Sequence, residues 1–122
     1  MKSDRAFLAD ILDEAGLICR ELEGVSEAEF REDVRISRTL LHSLMIIGEA
    51  SARLSKELTS RYPHVPWAQI VALRNRIVHN YGAIELHVIW NICQCDLPQL
   101  AACVAEVLRD EDEPQAASPP QA

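Results

Sequence analysis

The sequence predicts an all-α protein, an up-down helical bundle of four to five helices. Apolar residues recur at spacings of three and four along most of the chain, which is typical of the buried faces of helices. The chain has only four Gly, and its prolines begin at Pro63, so helix breakers are scarce in the first half. Aromatic residues make up 5% of the chain and apolar residues rarely alternate with polar ones, which argues against a β-sheet.

The length of 122 residues suits one domain with a single core. We predict that this helical domain covers residues 1–109. Residues 110–122 combine four acidic residues with Pro and Ala, which predicts a disordered tail. Charged residues interrupt the start of the chain and no apolar run is long enough to span a membrane, so we expect a soluble cytoplasmic protein without a signal peptide.

The first helix is predicted at residues 4–22, with Ser3 as its N-cap and Gly24 after its end. The second is predicted from the cap Ser26 to about Leu58. Its start has the signature of a capping box, with Glu29 three residues after Ser26. Within it, Gly48 predicts the close approach of another helix, with a bend as the alternative.

The third helix is predicted from about Pro66 to Asn80, because Pro suits the first turn of a helix. Gly82 is placed to terminate this helix. A fourth helical region is predicted at residues 84–109, and Pro98 should kink or split it because Pro has no N–H for the helical hydrogen bond.

The chemistry that the sequence offers is concentrated in residues 74–81, at the end of the third predicted helix. An Arg that holds a phosphate and a His that moves a proton are the minimum for cleaving RNA without a metal, and Arg74 and His79 are such a pair. Asn80 could orient the His or the phosphate, and Tyr81 could bind the phosphate or stack on a base. The structural alternative is that Arg74 pairs with a carboxylate such as Glu49 while His79 caps a helix end.

The spacing limits the catalytic interpretation, since Arg74 and His79 point about 140° apart on an ideal helix. Either the helix distorts near its end, or the site opens along a wide cleft. A two-fold dimer could line such a cleft with residues from both copies.

Several segments resemble one known family. Residues 74–81 resemble the R-x4-H-x-Y motif of the HEPN superfamily, specifically of the HepT-type minimal toxins. Four other segments resemble family motifs in the same order along the chain: Ile46–Ala50 (IGEA), Tyr62–Trp67 (YP-x-x-PW), Val88–Trp90 (an apolar residue before Trp) and Leu97–Leu100 (LP-x-L). The similarity covers about residues 4–109, although the first helix and the Arg35–Leu41 stretch match only loosely.

The resemblance implies a HEPN-like fold and a metal-independent RNase toxin that needs no cofactor. It further implies a homodimer with a composite cleft, in a type VII-like toxin–antitoxin system. Arg74 and His79 would be catalytic, with Asn80 between the His and the Tyr. Tyr81 matches the tyrosine that the family's MntA-type nucleotidyltransferase antitoxin modifies with AMP, which would place bulk and negative charge beside the site. A non-catalytic HEPN module that binds RNA or a nucleotide, or that scaffolds a nucleotidyltransferase, is the alternative.

Charge is distributed unevenly in a way that bears on RNA binding. The chain carries a net charge of −7, but residues 34–109 hold eight basic and five acidic side chains. Six residues fall within about 60° of one another on a helical wheel: Arg35, Arg38, His42, Glu49, Arg53 and Lys56. Together with Arg76, the basic members of this stripe are candidates for the RNA path, and a solvated face is the alternative.

The remaining candidates for metal binding are two histidines and the four cysteines. Cys93 and Cys95 do not form a C-x-x-C motif, so buried reduced thiols are favoured over a metal site for the cysteines, which are Cys19, Cys93, Cys95 and Cys103. His64 is expected in an exposed loop, and His87 on the surface or in a satisfied packing contact. We predict no metal site.

Overall fold

The structure is a computed structural model that describes residues 2–112, and all its regular elements are helical. The elements are α1 (Asp4–Glu21), α2 (Glu27–Glu32), α3 (Val34–Ala52), α4 (Lys56–Arg61), α5 (Trp67–Asn80), a 3-10 turn (Tyr81–Ala83), α6 (Leu86–Asn91), a π-helical segment (Ile92–Asp96) and α7 (Leu97–Asp112). The predicted all-α class is confirmed. None of the helices formed by residues 2–112 is long and apolar enough to cross a membrane.

The first helix begins and ends as predicted. The Ala6 N–H donates to the Ser3 hydroxyl at 3.1 Å, so Ser3 caps α1. Gly24 follows the helix end with φ of +71°, a left-handed conformation that glycine adopts without steric cost. The connection to α2 is therefore tight.

The prediction of one helix from Ser26 to about Leu58 is wrong, because the chain forms three helices there. Its start is correct: Ser26 and Glu29 form the predicted capping box. Asp33 then leaves the helical conformation (ψ 101°), and its carboxylate accepts the Arg35 N–H at 2.9 Å, which starts α3. Ser55 starts α4 in the same way by accepting the Leu58 N–H at 3.1 Å.

Four longer helices form the bundle. Helix α3 packs against α1 and α5, and α1 also packs against α7. Asp4, at the start of α1, accepts the Ser55 N–H beyond the end of α3, and Arg5 pairs with Asp112 at the end of α7. These contacts show that α1 runs antiparallel to both neighbours. The core consists of apolar side chains from all four helices, including Leu8, Ile11, Ile18, Leu40, Ile47, Ile77, Val104 and Val107.

Pro98 splits the fourth helical region as predicted. The π-helical segment precedes it, and the Leu97 N–H donates to the Ile92 carbonyl, a bond that spans five residues. The extra residue in this turn separates α6 from α7 without a loop.

The end of α7 differs from the prediction that the tail starts at Asp110. The helix continues to Asp112 because its last residues are bound by other elements. The Tyr62 hydroxyl lies 2.8 Å from Asp110 and 2.6 Å from Glu111, and Arg61 pairs with Glu111 at 2.7 Å. Residues 113–122 of the predicted tail lie outside the described residues.

Candidate active site at the end of helix α5

Gly48 allows α3 and α5 to approach each other closely. A Cβ atom at this position would overlap the Cβ of Arg74 and lie 2.8 Å from its Cγ. It would also lie 3.3 Å from the Ile70 carbonyl oxygen. The predicted close approach is confirmed, and it is the stem of Arg74 that occupies the space.

Glu49, the next residue on α3, holds the guanidinium of Arg74. The Arg74 Nη1 donates to Glu49 Oε2 at 2.7 Å, and the Arg53 Nε donates to the other carboxylate oxygen at 3.1 Å. The Glu49 carboxylate thus accepts hydrogen bonds from two arginines. Arg74 has a side chain that is 25% exposed, and its Nε is buried without a hydrogen-bond partner among residues 2–112.

This ion pair is the one that the structural alternative predicts. Charge-assisted hydrogen bonds are stronger than neutral ones, so Glu49 restricts the directions in which the guanidinium can point. The pairing leaves the catalytic interpretation open, because a guanidinium has five N–H donors and Glu49 uses one of them.

His79 lies in the last turn of α5 and is exposed to solvent. The helix is regular as far as His79, and the backbone departs from it at Asn80 (φ −132°, ψ 34°). The distortion therefore comes too late to bring His79 towards Arg74. The two side chains therefore lie about 140° apart on a regular helix, and the wide cleft stays a prediction.

The end of α5 does not use Gly82 as predicted. Gly82 lies within the 3-10 turn and does not have a positive φ. The change of conformation at Asn80, two residues earlier, ends the α-helix. Tyr81 consequently starts the 3-10 turn, where its side chain is 42% exposed.

Two large side chains with apolar surface are exposed after Arg74 on α5 and the turn that follows it. Val78, one turn after Arg74, is 50% exposed, and Tyr81 is the next large exposed side chain. Asn75 and Asn80 are exposed beside them.

The basic stripe is shorter than predicted. Arg35, Arg38 and His42 are exposed along α3, and Arg53 follows the end of that helix. Lys56 is not part of it, because the Ser55 cap breaks the helix and places Lys56 on α4. Arg35 has a weak ion pair with Asp33 at 3.9 Å. Arg76 is exposed on another face of α5, where it lines a groove towards α7.

The other titratable candidates are separate from this site. Burial raises the pKa of the Cys93 thiol to about 12, with a smaller contribution from the nearby charge of Cys19. No group of three or more His, Cys, Asp or Glu side chains within residues 2–112 is placed to hold a metal ion. His64 and His87 are both exposed, as expected, and His87 lies 3.5 Å from Glu27.

Sequence reasoning missed two features of this structure. One is the contact of Tyr62 with Asp110 and Glu111, and the other is the groove that Arg76 lines. Both join residues that are far apart in sequence, so no local pattern could have revealed them. The only signal was the Tyr-Pro segment at residues 62–63.

A helical bundle that carries an R-x4-H motif at the end of one helix defines a class, the HEPN-type proteins. Residues 11–107 match the model of the HepT-like family, described as "Ribonuclease HepT-like". The chain belongs to this family.

Relatives with similar sequences span nearly the whole chain. A protein of Caldanaerobacter subterraneus subsp. tengcongensis named "Putative RNase" is 33% identical over 111 residues, covering 91% of this chain and 99% of that protein. A "Putative RNase" of Methanocaldococcus jannaschii is 33% identical over 115 residues, covering 92% of this chain and 95% of that protein. A "Probable ribonuclease HepT" of Thermococcus cleftensis is 26% identical over 99 residues, covering 81% of this chain and 90% of that protein. No solved structure matches the chain.

Proposed function

We propose that this protein is a metal-independent ribonuclease, and that Arg74 and His79 are its catalytic residues. The observation that carries the proposal is the arrangement of Arg74, which Gly48 and Glu49 hold in a half-buried position within the R-x4-H motif of a HepT-like protein. The relatives named as RNases support the same activity.

The reaction uses the RNA's own 2′-hydroxyl as the nucleophile. A neutral imidazole of His79 accepts the proton of this hydroxyl, and the 2′-oxygen attacks the adjacent phosphorus. The bond from phosphorus to the 5′-oxygen breaks, and a protonated imidazole gives its proton to that leaving oxygen. The products are a 2′,3′-cyclic phosphate and a free 5′-hydroxyl.

Arg74 stabilises the negative charge that gathers on the phosphoryl oxygens in this reaction. Glu49 acts as a positioning residue, since it binds one guanidinium nitrogen and leaves other donors for the phosphate. Asn80 orients His79 or the phosphate from the next position on the chain.

The active form is a homodimer with a composite cleft. Arg74 and His79 diverge on one helix, so a second α5 related by a two-fold axis brings an Arg of one copy towards the His of the other. Two histidines in one cleft also supply the base and the acid at the same time. The exposed Val78 and Tyr81 support an interface on this face of α5.

Tyr81 is the regulatory residue of this proposal. Its phenol is exposed at the end of α5, where a nucleotidyltransferase antitoxin of the MntA type can reach it. The phenolic oxygen attacks the α-phosphorus of ATP, loses its proton and releases pyrophosphate, and the AMP group that it then carries adds a negative charge next to His79 that repels the RNA backbone. The protein would then be the toxin of a type VII-like toxin–antitoxin pair.

The basic stripe of Arg35, Arg38, His42 and Arg53 guides the RNA backbone towards the cleft, and Arg76 contributes on the other side of α5. Charge reversal at Arg38 should weaken cleavage without unfolding the protein, because Arg38 is exposed and has no ion pair within residues 2–112. The same reversal at Arg109, exposed on α7, is a matched control. Equal cleavage by a folded Arg38→Glu, Arg53→Glu double variant and by the wild type would contradict this part of the proposal.

The central experiment compares RNA cleavage by the wild type with that by Arg74→Ala and His79→Ala, in the presence of EDTA. Both variants should lose at least about 100-fold in rate, in line with the effects of general acid–base and electrostatic catalysis. Arg31→Ala and His87→Ala are matched controls on α2 and α6, and they should cleave as the wild type does. Equal residual activity in all five proteins would identify a contaminating nuclease and refute the assignment.

The alternative is a non-catalytic HEPN module that binds RNA or a nucleotide. The observation in its favour is that Arg74 already has a carboxylate partner, as a purely structural arginine would. RNA binding by the wild type without any cleavage, and without growth arrest on expression, would favour this alternative. Growth arrest that Arg74→Ala abolishes would favour the toxin.

A further inference from the structure

A groove between α5 and α7 lies beside the candidate active site, and Arg76 is the one residue of its lining that the proposal above uses. Its floor is formed by Leu44 and Ile47 of α3. Its volume is about 640 Å³, which is within the usual range for sites that bind small molecules. The walls are mainly aliphatic and come from α5 and from the π segment with α7, with Ile70, Leu73, Ile92, Leu97 and Leu100 among them.

The rim of this groove is polar on both walls. Gln69 and Arg76 stand on the α5 side, and Asp96 and Gln99 stand on the opposite side. All four side chains are exposed, and none is engaged in a side-chain hydrogen bond within residues 2–112. The rim therefore offers free donors and acceptors above an apolar floor, which is the combination that holds a flat polar ring by its faces and its edge.

The groove is continuous with the catalytic helix. Arg76 is three residues before His79 and four before Asn80, so all three lie on neighbouring turns of α5. The rise from Arg76 to His79 is roughly 4.5 Å along the helix axis. A ligand that lies in the groove with a phosphate at Arg76 would thus have its next phosphate close to His79.

We infer that the groove is a base-specific subsite that binds one unpaired nucleobase of the RNA next to the cleaved phosphate. The aliphatic walls contact the faces of the base, Asp96 and the amides of Gln69 and Gln99 bind its edge, and Arg76 binds the neighbouring phosphate. This inference rests on the proposed ribonuclease activity and adds a sequence preference to it.

The charge of the rim favours RNA over a protein helix as the occupant. An amphipathic helix would lay an apolar face into the groove and would desolvate Arg76 and Asp96 without providing partners for them. A nucleotide satisfies both, since its phosphate binds the guanidinium and its amino groups bind the carboxylate.

The first test is the sequence preference of cleavage in an RNA library with random unpaired positions, read by sequencing the cut ends. The wild type should prefer one base class at a position next to the cut. Gln99→Ala and Asp96→Asn should reduce that preference about tenfold, as expected for the loss of a base-edge contact. Gln94→Ala removes an exposed amide from the π segment outside the groove, so it should cut with the wild-type preference.

An unchanged preference in both Gln99→Ala and Asp96→Asn would overturn the inference while leaving the ribonuclease proposal intact. A wild type that does not cleave would refute the ribonuclease proposal, so a binding measurement is needed as well. In His79→Ala, an unpaired RNA oligonucleotide should shift the NMR signals of the Gln69 and Gln99 side-chain amides. Absence of these shifts would overturn the inference whatever the cleavage result.

A third variant separates RNA from a protein occupant. Leu73→Gln places an amide on the apolar wall and should weaken binding of the oligonucleotide. If it instead changes only the sedimentation of the protein and leaves binding unaltered, the groove is a protein interface and the inference is wrong.

Discussion

The two halves of the R-x4-H motif lie in very different surroundings. Arg74 is half-buried: its stem packs on Gly48 and its guanidinium binds Glu49. His79, Asn80 and Tyr81 are exposed at the end of the same helix. The fold thus fixes the proposed phosphate-binding group and leaves the proposed proton-transfer group and the proposed modification site exposed. The composite cleft of the proposed homodimer would require this difference.

Gly48→Ala should have the largest effect on stability. The added methyl overlaps the stem of Arg74, so α5 must move away from α3. The free energy of unfolding should fall by about 1–3 kcal/mol. Urea denaturation followed by circular dichroism measures it. Gly16→Ala in α1 is the control, because its new Cβ would meet only the flexible end of Arg20, and it should raise stability by about 0.5–1 kcal/mol. Equal stability of Gly48→Ala and the wild type would show that the close approach is not essential.

Arg74→Ala and His79→Ala should separate stability from activity. Arg74→Ala removes a packed stem and a charge-assisted hydrogen bond, so the free energy of unfolding should fall by about 1–2 kcal/mol. His79→Ala should change it by less than about 0.5 kcal/mol, as is usual for exposed positions. Equal losses in the two variants would remove the contrast between the halves of the motif.

Tyr62 and Tyr81 also differ in their surroundings, and the expected changes in stability on substitution are smaller. Tyr62→Phe deletes the hydroxyl that lies against Asp110 and Glu111, which should cost about 1 kcal/mol of stability. Tyr81→Phe should leave stability unchanged but should abolish transfer of AMP by a nucleotidyltransferase antitoxin. Mass spectrometry of the antitoxin reaction checks the second outcome, and modification of Tyr81→Phe at another residue would contradict it.

The smallest expected effect is a loss of stability at alkaline pH. Desolvation raises the pKa of Tyr62, and the hydrogen bonds to Glu111 and Asp110 raise it further. Because the folded pKa exceeds the unfolded value of about 10, this contribution to stability is complete below pH 10 and is lost as the pH rises above it. The stability difference between the wild type and Tyr62→Phe should therefore be constant from pH 7 to 9 and shrink above pH 10. A constant difference at pH 11 would mean that the phenol is not protected.

The sequence predicted the fold class, the ends of α1 and α5 to within about a residue or two, and the split at Pro98. It failed at residues 26–61, where the helical spacing of the apolar residues continues past Asp33 and Ser55 although each of these two residues caps a new helix. A cap depends on backbone geometry that side-chain periodicity does not encode.

The candidate site was predictable only where it is local. Residues 74–81 adjoin in sequence, and Gly48 marked a close approach without identifying what it approaches. The Arg74–Glu49 bond joins residues 25 apart and was one of two alternatives. The groove beside Arg76 needs the positions of α3, α5 and α7 together, which only the tertiary structure supplies.

The π segment allows the final helical region to accept a one-residue change in length. Buried residues Ile89, Cys93 and Leu97 recur at intervals of four, and each such interval drifts by about 40° around an ideal α-helix. The wider π turn absorbs the extra residue, so α6 and α7 both present their apolar faces inward. Removing Gln94 should therefore convert this turn to α-helix and leave the apolar face of α7 towards the core. The π segment therefore accommodates a one-residue insertion in a packed helix, and the bundle does not have to unfold.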